Sequence, residues 1–230
     1  GLYMAPDTVE FSDENGEYIF DSLILRMKVD YLYGNDLQGQ KSIFVHELTD
    51  SLELNNLYLT KHTTSYADIP LGEFVFDYSS LDTVSVDTLM KTRFSDELGL
   101  RFLKEAEEND TTFSNNNLFR EFFYGLAFVA GETNDMVAGI VPESRSSYLR
   151  LHFHNSTDTL YKDFMFYDLD TIPGNTTKNY NNITLDRSGT PLEGITDYYT
   201  EYQTGNELSY IQASTGVFTK VNIQPYLNSI

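Results

Sequence analysis

Apolar and polar residues alternate most regularly over residues 21–34, in the sequence DSLILRMKVDYLYG. Polar Arg26, Lys28 and Asp30 occupy the positions between the apolar ones. Because successive side chains of a β-strand point to opposite faces of the sheet, this pattern predicts a strand with one buried face. The residues predicted to share the buried face are Leu23, Leu25, Met27, Val29 and Tyr31.

Shorter segments of the same kind follow, separated by residues that favour turns. Residues 34–40 (GNDLQGQ) form one such turn, so we expect the strands on either side of it to pair as an antiparallel hairpin or meander. Beyond Leu169 the pattern weakens; it predicts one short strand from Ile183 and two or three more within residues 197–227. The other predicted strands cover residues 42–48, 72–78, 83–89, 125–131, 147–155 and 160–169.

Two segments change to the spacing of an amphipathic helix. In residues 95–109 the apolar positions recur every three or four residues, although Gly99 costs such a helix about 1 kcal/mol relative to Ala. Residues 116–125 predict a shorter helix, with Asn116 or Asn117 as its N-cap and apolar residues that plug the core. The chain is therefore predicted to contain one or two short helices among many strands.

Many short strands joined by turns rich in Gly, Asn and Asp are typical of an all-β protein. We predict a β-sandwich of jelly-roll type, with the short helices packed over an end or edge. We expect residues 1–230 to form a single domain that is a fragment of a longer exported protein. In an alternative division, residues 170–230 begin a second sub-domain.

Composition restricts the partners of this chain. Its 35 acidic and 15 basic residues give a formal net charge of −20, which repels nucleic acid and anionic membrane surfaces. It has 17 Tyr and 16 Phe, which suit strands, and no Cys, so disulfide bonds and Cys-bound metals are excluded. No apolar run approaches the length of a membrane helix. We expect membrane contact only through a lipid anchor outside this chain.

The segment SSYLRLHFHN contains His152 and His154, which alternate with Leu and Phe and so share one face of a strand. A zinc-like site would need further ligands, and His46 and His62 are the only other imidazoles. Apolar residues on one face and Arg and His on the other are more typical of a strand with one solvated face. We therefore predict no metal site at these histidines.

Other chemical signals are weak. The acidic segments at 13–17 (DENGE) and 168–170 (DLD) carry oxygen ligands for a structural calcium ion, but neither follows the EF-hand pattern. The chain has no G-x-S-x-G, H-E-x-x-H or Walker motif. We predict a non-enzymatic protein without a cofactor and keep calcium, at an unspecified site, as a lesser hypothesis. A hydrolase that uses a pair of carboxylates is another alternative, and no pair can be singled out.

Exposed aromatic rings are the remaining candidates for a site. The segment DYYTEYQ places Tyr198, Tyr199 and Tyr202 close together, and tyrosine rings can stack on a sugar ring. In strands, however, tyrosine is more often half-buried packing. These three residues are the predicted ligand-binding residues.

The order of the strand and helix segments resembles a family of Bacteroidetes envelope lipoproteins defined by a domain of unknown function. The likeness extends from about Asp21 to the C-terminal YIQASTGVFTKVNIQPYL, and the motif Asp186–Thr190 (DRSGT) is among its most specific parts. Two other motifs carry it: V-x-E-L-T at Val45–Thr49, and F-x-G-L at Phe123, Gly125 and Leu126. The resemblance implies an extracytoplasmic protein, anchored in the outer membrane or at the cell surface. It supplies no catalytic residues.

The layout is also distantly similar to jelly-roll modules of secreted carbohydrate-active proteins, which implies contact with a glycan. The leading hypothesis is a non-catalytic envelope or surface domain that binds a glycan or a surface protein. A second hypothesis is a structural or assembly domain that packs against its own longer chain or a neighbouring envelope protein. The second predicts an exposed apolar patch or an unpaired edge strand within Tyr210–Ile230.

Overall fold

The fold is described from a computed structural model. The chain divides into two compact units, residues 1–181 and residues 182–230. The described residues are 3–4, 17–34, 40–53, 56–77, 89–132, 134, 136–166, 179–197, 199–203, 208–212, 216–221 and 223–224.

All of the strands and nearly all of the helical residues described lie in the first unit. The strands are β1 (Tyr3–Met4), β2 (Ile19–Gly34), β3 (Gln40–Glu47), β4 (Gly72–Asp77), β5 (Leu89–Arg93), β6 (Leu126–Ala130), β7 (Met136–Val141), β8 (Tyr148–His154) and β9 (Thr159–Met165). The helices are α1 (Asp96–Glu108), α2 (Asp110–Ser114) and α3 (Asn116–Phe122).

The strands form two antiparallel sheets. One contains six strands in the order β1-β9-β8-β2-β5, with β7 also paired to β2; the other contains three strands in the order β4-β3-β6. The prediction of a mainly β protein with few helices is therefore confirmed. The described helices are three rather than one or two, because residues 110–114 form a short additional helix between the two predicted ones.

The long strand β2 organises the six-stranded sheet. Strands β7 and β8 follow one another along it, pairing with residues 28–34 and 19–26 respectively. Where the two meet, the Ser147 hydroxyl accepts a hydrogen bond from Lys28 N–H at 2.9 Å and donates one to Val141 C=O at 2.6 Å. This buried side chain thus satisfies backbone groups at the interruption between the two strands.

The core lies on the inward face of the six-stranded sheet, where the predicted apolar row is buried from Leu23 to Val29. The prediction was wrong for Tyr31, which is 51% exposed, because the register of β2 against β7 shifts between Val29 and Tyr31. Alternate residues of β2 and β8 are fully excluded from solvent, because the period of two puts them all on one face. Phe102 of α1 lies at the centre of a cluster of phenylalanine rings, with centroid separations from 5.1 to 6.1 Å. The fully buried alternate residues are Leu23, Leu25, Met27, Val29, Leu149, Leu151 and Phe153.

Helix α1 forms where its spacing predicts it, and it buries Leu98, Phe102, Leu103 and Ala106. The unfavourable Gly99 has a structural reason. A Cβ atom at this position would overlap the ring of Phe20, so the helix can approach that ring only without a side chain there.

The predicted cap of the third helix was off by one or two residues. Asn115 is the N-cap of α3, and its side-chain oxygen accepts hydrogen bonds from the N–H groups of Asn117 at 2.9 Å and Leu118 at 3.4 Å. Three consecutive asparagines make the position of the cap ambiguous from sequence.

Two predictions about strand pairing were wrong. Strands β2 and β3 do not form a hairpin, because β2 lies in the six-stranded sheet and β3 pairs with β4 and β6 in the other. The segment 136–141 is not among the predicted strands, yet it forms β7. Its hydrogen-bonding partner, the second half of β2, is distant in sequence, so local pattern alone does not reveal it.

The second unit contains little regular structure among its described residues. No strand forms at residues 182–187, and among the described residues of 197–227 the predicted strands reduce to one isolated bridge between Gln212 and Val217. The DRSGT motif is a turn, in which the Asp186 carboxylate accepts the Ser188 N–H at 2.9 Å and Gly189 has φ of 69°. Residues 83–88 and 225–227 of the predicted strands lie outside the described residues.

Candidate ligand-binding face

The side of the six-stranded sheet that faces away from the core carries most of its polar chemistry. We call the outward residues of β2, β5, β8 and β9 the outer face; they alternate with the buried rows. Its charged and aromatic members are Asp21, Arg26, Lys28, Asp30, Lys91, Arg93, Tyr148, Arg150, His152, His154, Tyr161 and Asp163.

Arg150 is at the centre of this face. It is the register partner of Asp163, and the two side chains form a bidentate ion pair with Nε–Oδ1 at 2.6 Å and Nη2–Oδ2 at 2.7 Å. Its guanidinium lies 4.0 Å from the ring centroid of Tyr161 and 4.7 Å from that of Tyr148. The hydrogen bonds to Asp163 raise the pKa of Arg150, so the group is a permanent cation.

The stacking continues to the next strand. The Tyr148 hydroxyl accepts a hydrogen bond from Arg26 Nη1 at 2.7 Å, and the Arg26 guanidinium lies 5.4 Å from the same ring. Tyr161, Arg150, Tyr148 and Arg26 therefore form a row of alternating rings and cations across β9, β8 and β2, which we call the Tyr–Arg row. Tyr161, at its outer end, is 51% exposed.

Both histidines of the segment SSYLRLHFHN lie on this half-exposed face, on the side away from the buried leucines. His154 Nδ1 is 2.8 Å from the Asp21 carboxylate, and the His152 ring is 6.3 Å from that of Tyr161. Burial, and then the positive charge of Arg150, lower the pKa of His152. The imidazole is therefore neutral at pH 7.

The other two histidines lie elsewhere. His46 is buried on β3, where its Nδ1 lies 2.8 Å from the Ala67 carbonyl oxygen, and His62 lies in a loop. Across the part of the chain that the structure describes, no three His, Asp or Glu side chains lie close enough together to hold a metal ion. The acidic segment 168–170, and residues 13–16 of the other, lie outside that part.

The tyrosines predicted to bind a ligand belong to the second unit. Tyr199 is fully exposed, with a positive φ of 61°. The Tyr202 hydroxyl accepts backbone N–H groups of Asp197 at 3.0 Å and Thr196 at 3.2 Å, so it holds a turn. Hydrogen bonds from Thr196 and then Asp197 lower the pKa of Tyr202. Tyr198 lies outside the described residues.

A second aromatic cluster lies in the first unit but offers less ring surface. Tyr58 and Tyr180 stack on each other with centroids 5.2 Å apart, and His62 meets both rings edge-on. The Tyr180 hydroxyl is 2.7 Å from Thr64 Oγ1. Because each tyrosine covers a face of the other, this cluster is better suited to pinning the loop than to stacking on a ligand.

The Tyr–Arg row is the feature that sequence reasoning missed. Alternation identified the face on which Arg150, His152 and Arg26 lie, but the row depends on the register that joins β8 to β9 and β2. In the same stretch Lys162 points to the inner side and is only 3% exposed, and burial lowers its pKa. A count of charges along β9 would not separate this lysine from the outward Asp163.

No helix among the described residues is long and apolar enough to cross a membrane. Comparisons with protein-family models, with curated proteins and with solved structures gave no match for this chain.

Proposed function

We propose that this chain is a non-catalytic surface domain that binds a glycan or a surface protein through the outer face of its six-stranded sheet. The observation that carries this proposal is the exposed ring of Tyr161, held in place by the Arg150–Asp163 pair. A rigid aromatic platform flanked by fixed hydrogen-bonding groups suits a sugar ring, which has an apolar face and polar edges.

The arrangement is preorganised for binding. The Arg150 guanidinium is fixed by two hydrogen bonds and by the rings of Tyr148 and Tyr161, so little side-chain freedom is lost when a ligand contacts it. Tyr161 keeps one part of its ring exposed, and His152 lies beside it as a neutral hydrogen-bonding group. The outer face therefore combines stacking with directional polar contacts.

We further propose that the two sheets belong to a jelly-roll sandwich and that the chain acts outside the cytoplasm, in the manner of the Bacteroidetes envelope lipoproteins that it resembles. The antiparallel pairing of both sheets supports the first part. Residue order and motifs support the second, together with a surface charge that disfavours nucleic acid as the ligand.

The proposal is tested by titrating the purified chain against a panel of cell-wall and host glycans by calorimetry. We expect at least one glycan to bind and Tyr161→Ala to weaken it about tenfold, because a stacked ring is lost. Tyr199→Ala is the matched control, since it removes an exposed tyrosine at the position that sequence predicted. Absence of binding to every glycan of the panel, or loss of binding with Tyr199→Ala alone, would contradict the outer-face proposal.

A second candidate function is assembly with a neighbouring envelope protein, and the edge of the three-stranded sheet favours it. Gly131 N–H donates to Ser42 C=O at 2.9 Å, so Gly131 and every second residue before it in β6 direct their N–H and C=O groups toward β3. The N–H and C=O groups of Leu126, Phe128 and Ala130 therefore point away from β3 and find no partner in the described part of the chain. Such an open, uncharged edge can accept another strand.

The second unit carries exposed apolar side chains, four of which lie within Tyr210–Ile230, where the assembly hypothesis predicts an apolar patch. Five large apolar side chains in its C-terminal part are 57–81% exposed, and the sequence from residue 208 to 230 contains no acidic residue. Covering these side chains with a partner would remove apolar area from water. They are Leu208, Ile211, Phe218, Val221 and Ile223.

Analytical ultracentrifugation tests assembly on the 26.4 kDa chain. Ala130→Pro removes an N–H group that points away from β3, so it should abolish association through the β6 edge while the sheet stays folded. Leu208→Asp tests the exposed apolar side chains of the second unit separately. Val75→Pro is not used as a control, because it would alter a different edge of the sheet, that of β4. A chain that is monomeric at every concentration would contradict association of its copies through the β6 edge.

A further inference from the structure

The outer face holds an unusual concentration of positive charge. Five of the 15 Lys and Arg residues of a chain with net charge −20 lie on it. They lie on three adjacent strands. The face also carries the carboxylates of Asp21, Asp30 and Asp163, so it has two more positive than negative charges, whereas the rest of the chain has 10 basic and 32 acidic residues. The five are Arg26, Lys28, Lys91, Arg93 and Arg150.

Two of these cations face each other directly. Arg26 on β2 is the register partner of Lys91 on β5, and both point outward, since their neighbours Met27 and Met90 are buried. Like charges at directly opposite positions of a sheet destabilise it unless an anion lies between them. The Arg26 guanidinium lies over the ring of Tyr148 on β8, the neighbour of β2 on the side away from β5.

Two of the three carboxylates of the face form ion pairs, whereas Asp30, two residues from Lys28, forms none among the described residues. Asp163 is bound to Arg150, and Asp21 to His154. Arg93 pairs with Asp96 at the start of α1, at 2.6 Å. Among the described residues none forms an ion pair with Arg26, Lys28 or Lys91.

Arg26 also has hydrogen-bonding capacity to spare. Its Nη1 donates to the Tyr148 hydroxyl, but its Nε is buried without a partner among the described residues. A buried donor that lacks a partner is costly, and it commonly marks a place where a water molecule or ligand completes the bonding. Tyr148 holds the guanidinium in a fixed direction, so an approaching anion would meet an oriented group.

We propose that the ligand of the outer face is an anionic polysaccharide, whose sulfate or carboxylate group lies between Arg26 and Lys91 while a sugar ring stacks on Tyr161. This inference rests on the proposed glycan-binding function and names the class of glycan. From β9 to β5 there are three strand spacings, or about 14 Å, so the ligand spans several sugar units.

The negative charge of the whole chain does not prevent this binding. At physiological ionic strength the Debye length is about 8 Å, so the fields of carboxylates farther away are largely screened at the face. The local charges of Arg26, Lys28 and Lys91 then dominate the interaction with a bound anion. The overall acidity lowers the rate of encounter with an anionic ligand.

Calorimetry with matched pairs of ligands tests the inference. The probes are dextran sulfate with dextran, and oligogalacturonate with its methyl ester, each titrated at fixed salt. We expect the charged member of at least one pair to bind at least tenfold tighter, and Lys91→Gln to remove about tenfold of that preference. Lys104→Gln, which makes the same charge change on the exposed face of α1, should have no effect. Circular dichroism confirms that both variants are folded.

The outcomes separate the two proposals. If charged and neutral members bind equally and Tyr161→Ala weakens both, glycan binding stands and the anionic class is wrong. If neither member of any pair binds, and the wider glycan panel is also silent, both proposals fail. An equal loss with Lys104→Gln, or equally tight binding of a single-stranded DNA of the same charge, would show non-specific charge attraction and overturn the inference.

Discussion

The two faces of the six-stranded sheet are built from alternate residues of the same strands, yet they differ in almost every property. On β8 the inward Leu149, Leu151 and Phe153 are fully buried, whereas the outward Arg150 and His152 are half-exposed and hydrogen-bonded or stacked. The inner face supplies the free energy of folding through apolar burial. The outer face places charged and aromatic groups at fixed separations, which is what a ligand requires.

Substitutions of two neighbouring residues on β8 should show the largest difference in stability between the two faces. Leu151→Ala is expected to lower the free energy of unfolding by about 3 kcal/mol, because it leaves a cavity in a fully buried site. His152→Ala, one residue away on the outer face, should change it by less than about 0.5 kcal/mol. Urea denaturation measures both. Equal losses for the two variants would mean that the faces are not energetically distinct.

Loss of the Ser147 hydroxyl should give the next largest effect. Ser147→Ala leaves the Lys28 N–H without its partner at the interruption between β7 and β8, whereas the Val141 C=O keeps the hydrogen bond from Ser144 N–H at 3.2 Å. We expect a loss of about 2 kcal/mol, since an unsatisfied backbone N–H is costly. The exposed Ser146 provides the matched control, and Ser146→Ala should be nearly neutral by the same denaturation assay. A neutral Ser147→Ala would show that water replaces the hydroxyl.

Gly99→Ala tests how closely helix α1 packs on the inner face of the sheet. Helix propensity alone predicts a gain of about 1 kcal/mol, but the new methyl group would overlap the Phe20 ring, so we expect a loss of about 1 kcal/mol. In a Phe20→Ala background the same substitution should become favourable. Thermal unfolding of the four proteins of this cycle measures the coupling. A gain in the wild-type background would contradict the close approach.

The smallest expected effect is the pH dependence contributed by His152. Its pKa in the folded chain lies below the ordinary value of 6.5, so the unfolded chain binds more protons in the window just below that pH. Its contribution to stability is therefore complete above pH 6.5 and is lost as the pH falls through the folded pKa. We expect the melting temperature to fall less between pH 7.5 and 5.5 in His152→Gln than in the wild type. Parallel curves would contradict this.

The sequence predicted what depends on local periodicity. The buried row from Leu23 to Val29 and the helix of residues 95–109 follow from spacings of two and of three to four, and both lie where expected. Periodicity assigns a residue to a face without naming its partner strand. For this reason the predicted pairing of β2 with β3 was wrong, and β7 was missed.

The candidate site was less accessible for the same reason. Arg150 and Tyr161 are eleven residues apart in the chain and meet only because β8 and β9 pair in one register. The sequence favoured Tyr199 and Tyr202 because they are close together, but Tyr202 uses its hydroxyl to hold a turn. Residues that are close together in the sequence are a good indication of a site on a loop. On a sheet they are a poor one, because residues that are neighbours on adjacent strands are distant in sequence.

The most direct test of the outer face as the binding site is chemical-shift mapping of the ¹⁵N-labelled chain during titration with the tightest glycan of the panel. We predict that the largest changes fall on the backbone amides of β2, β5, β8 and β9 around Arg26, Lys91, Arg150 and Tyr161. Changes centred instead on residues 199–203, or on the β6 edge, would contradict it.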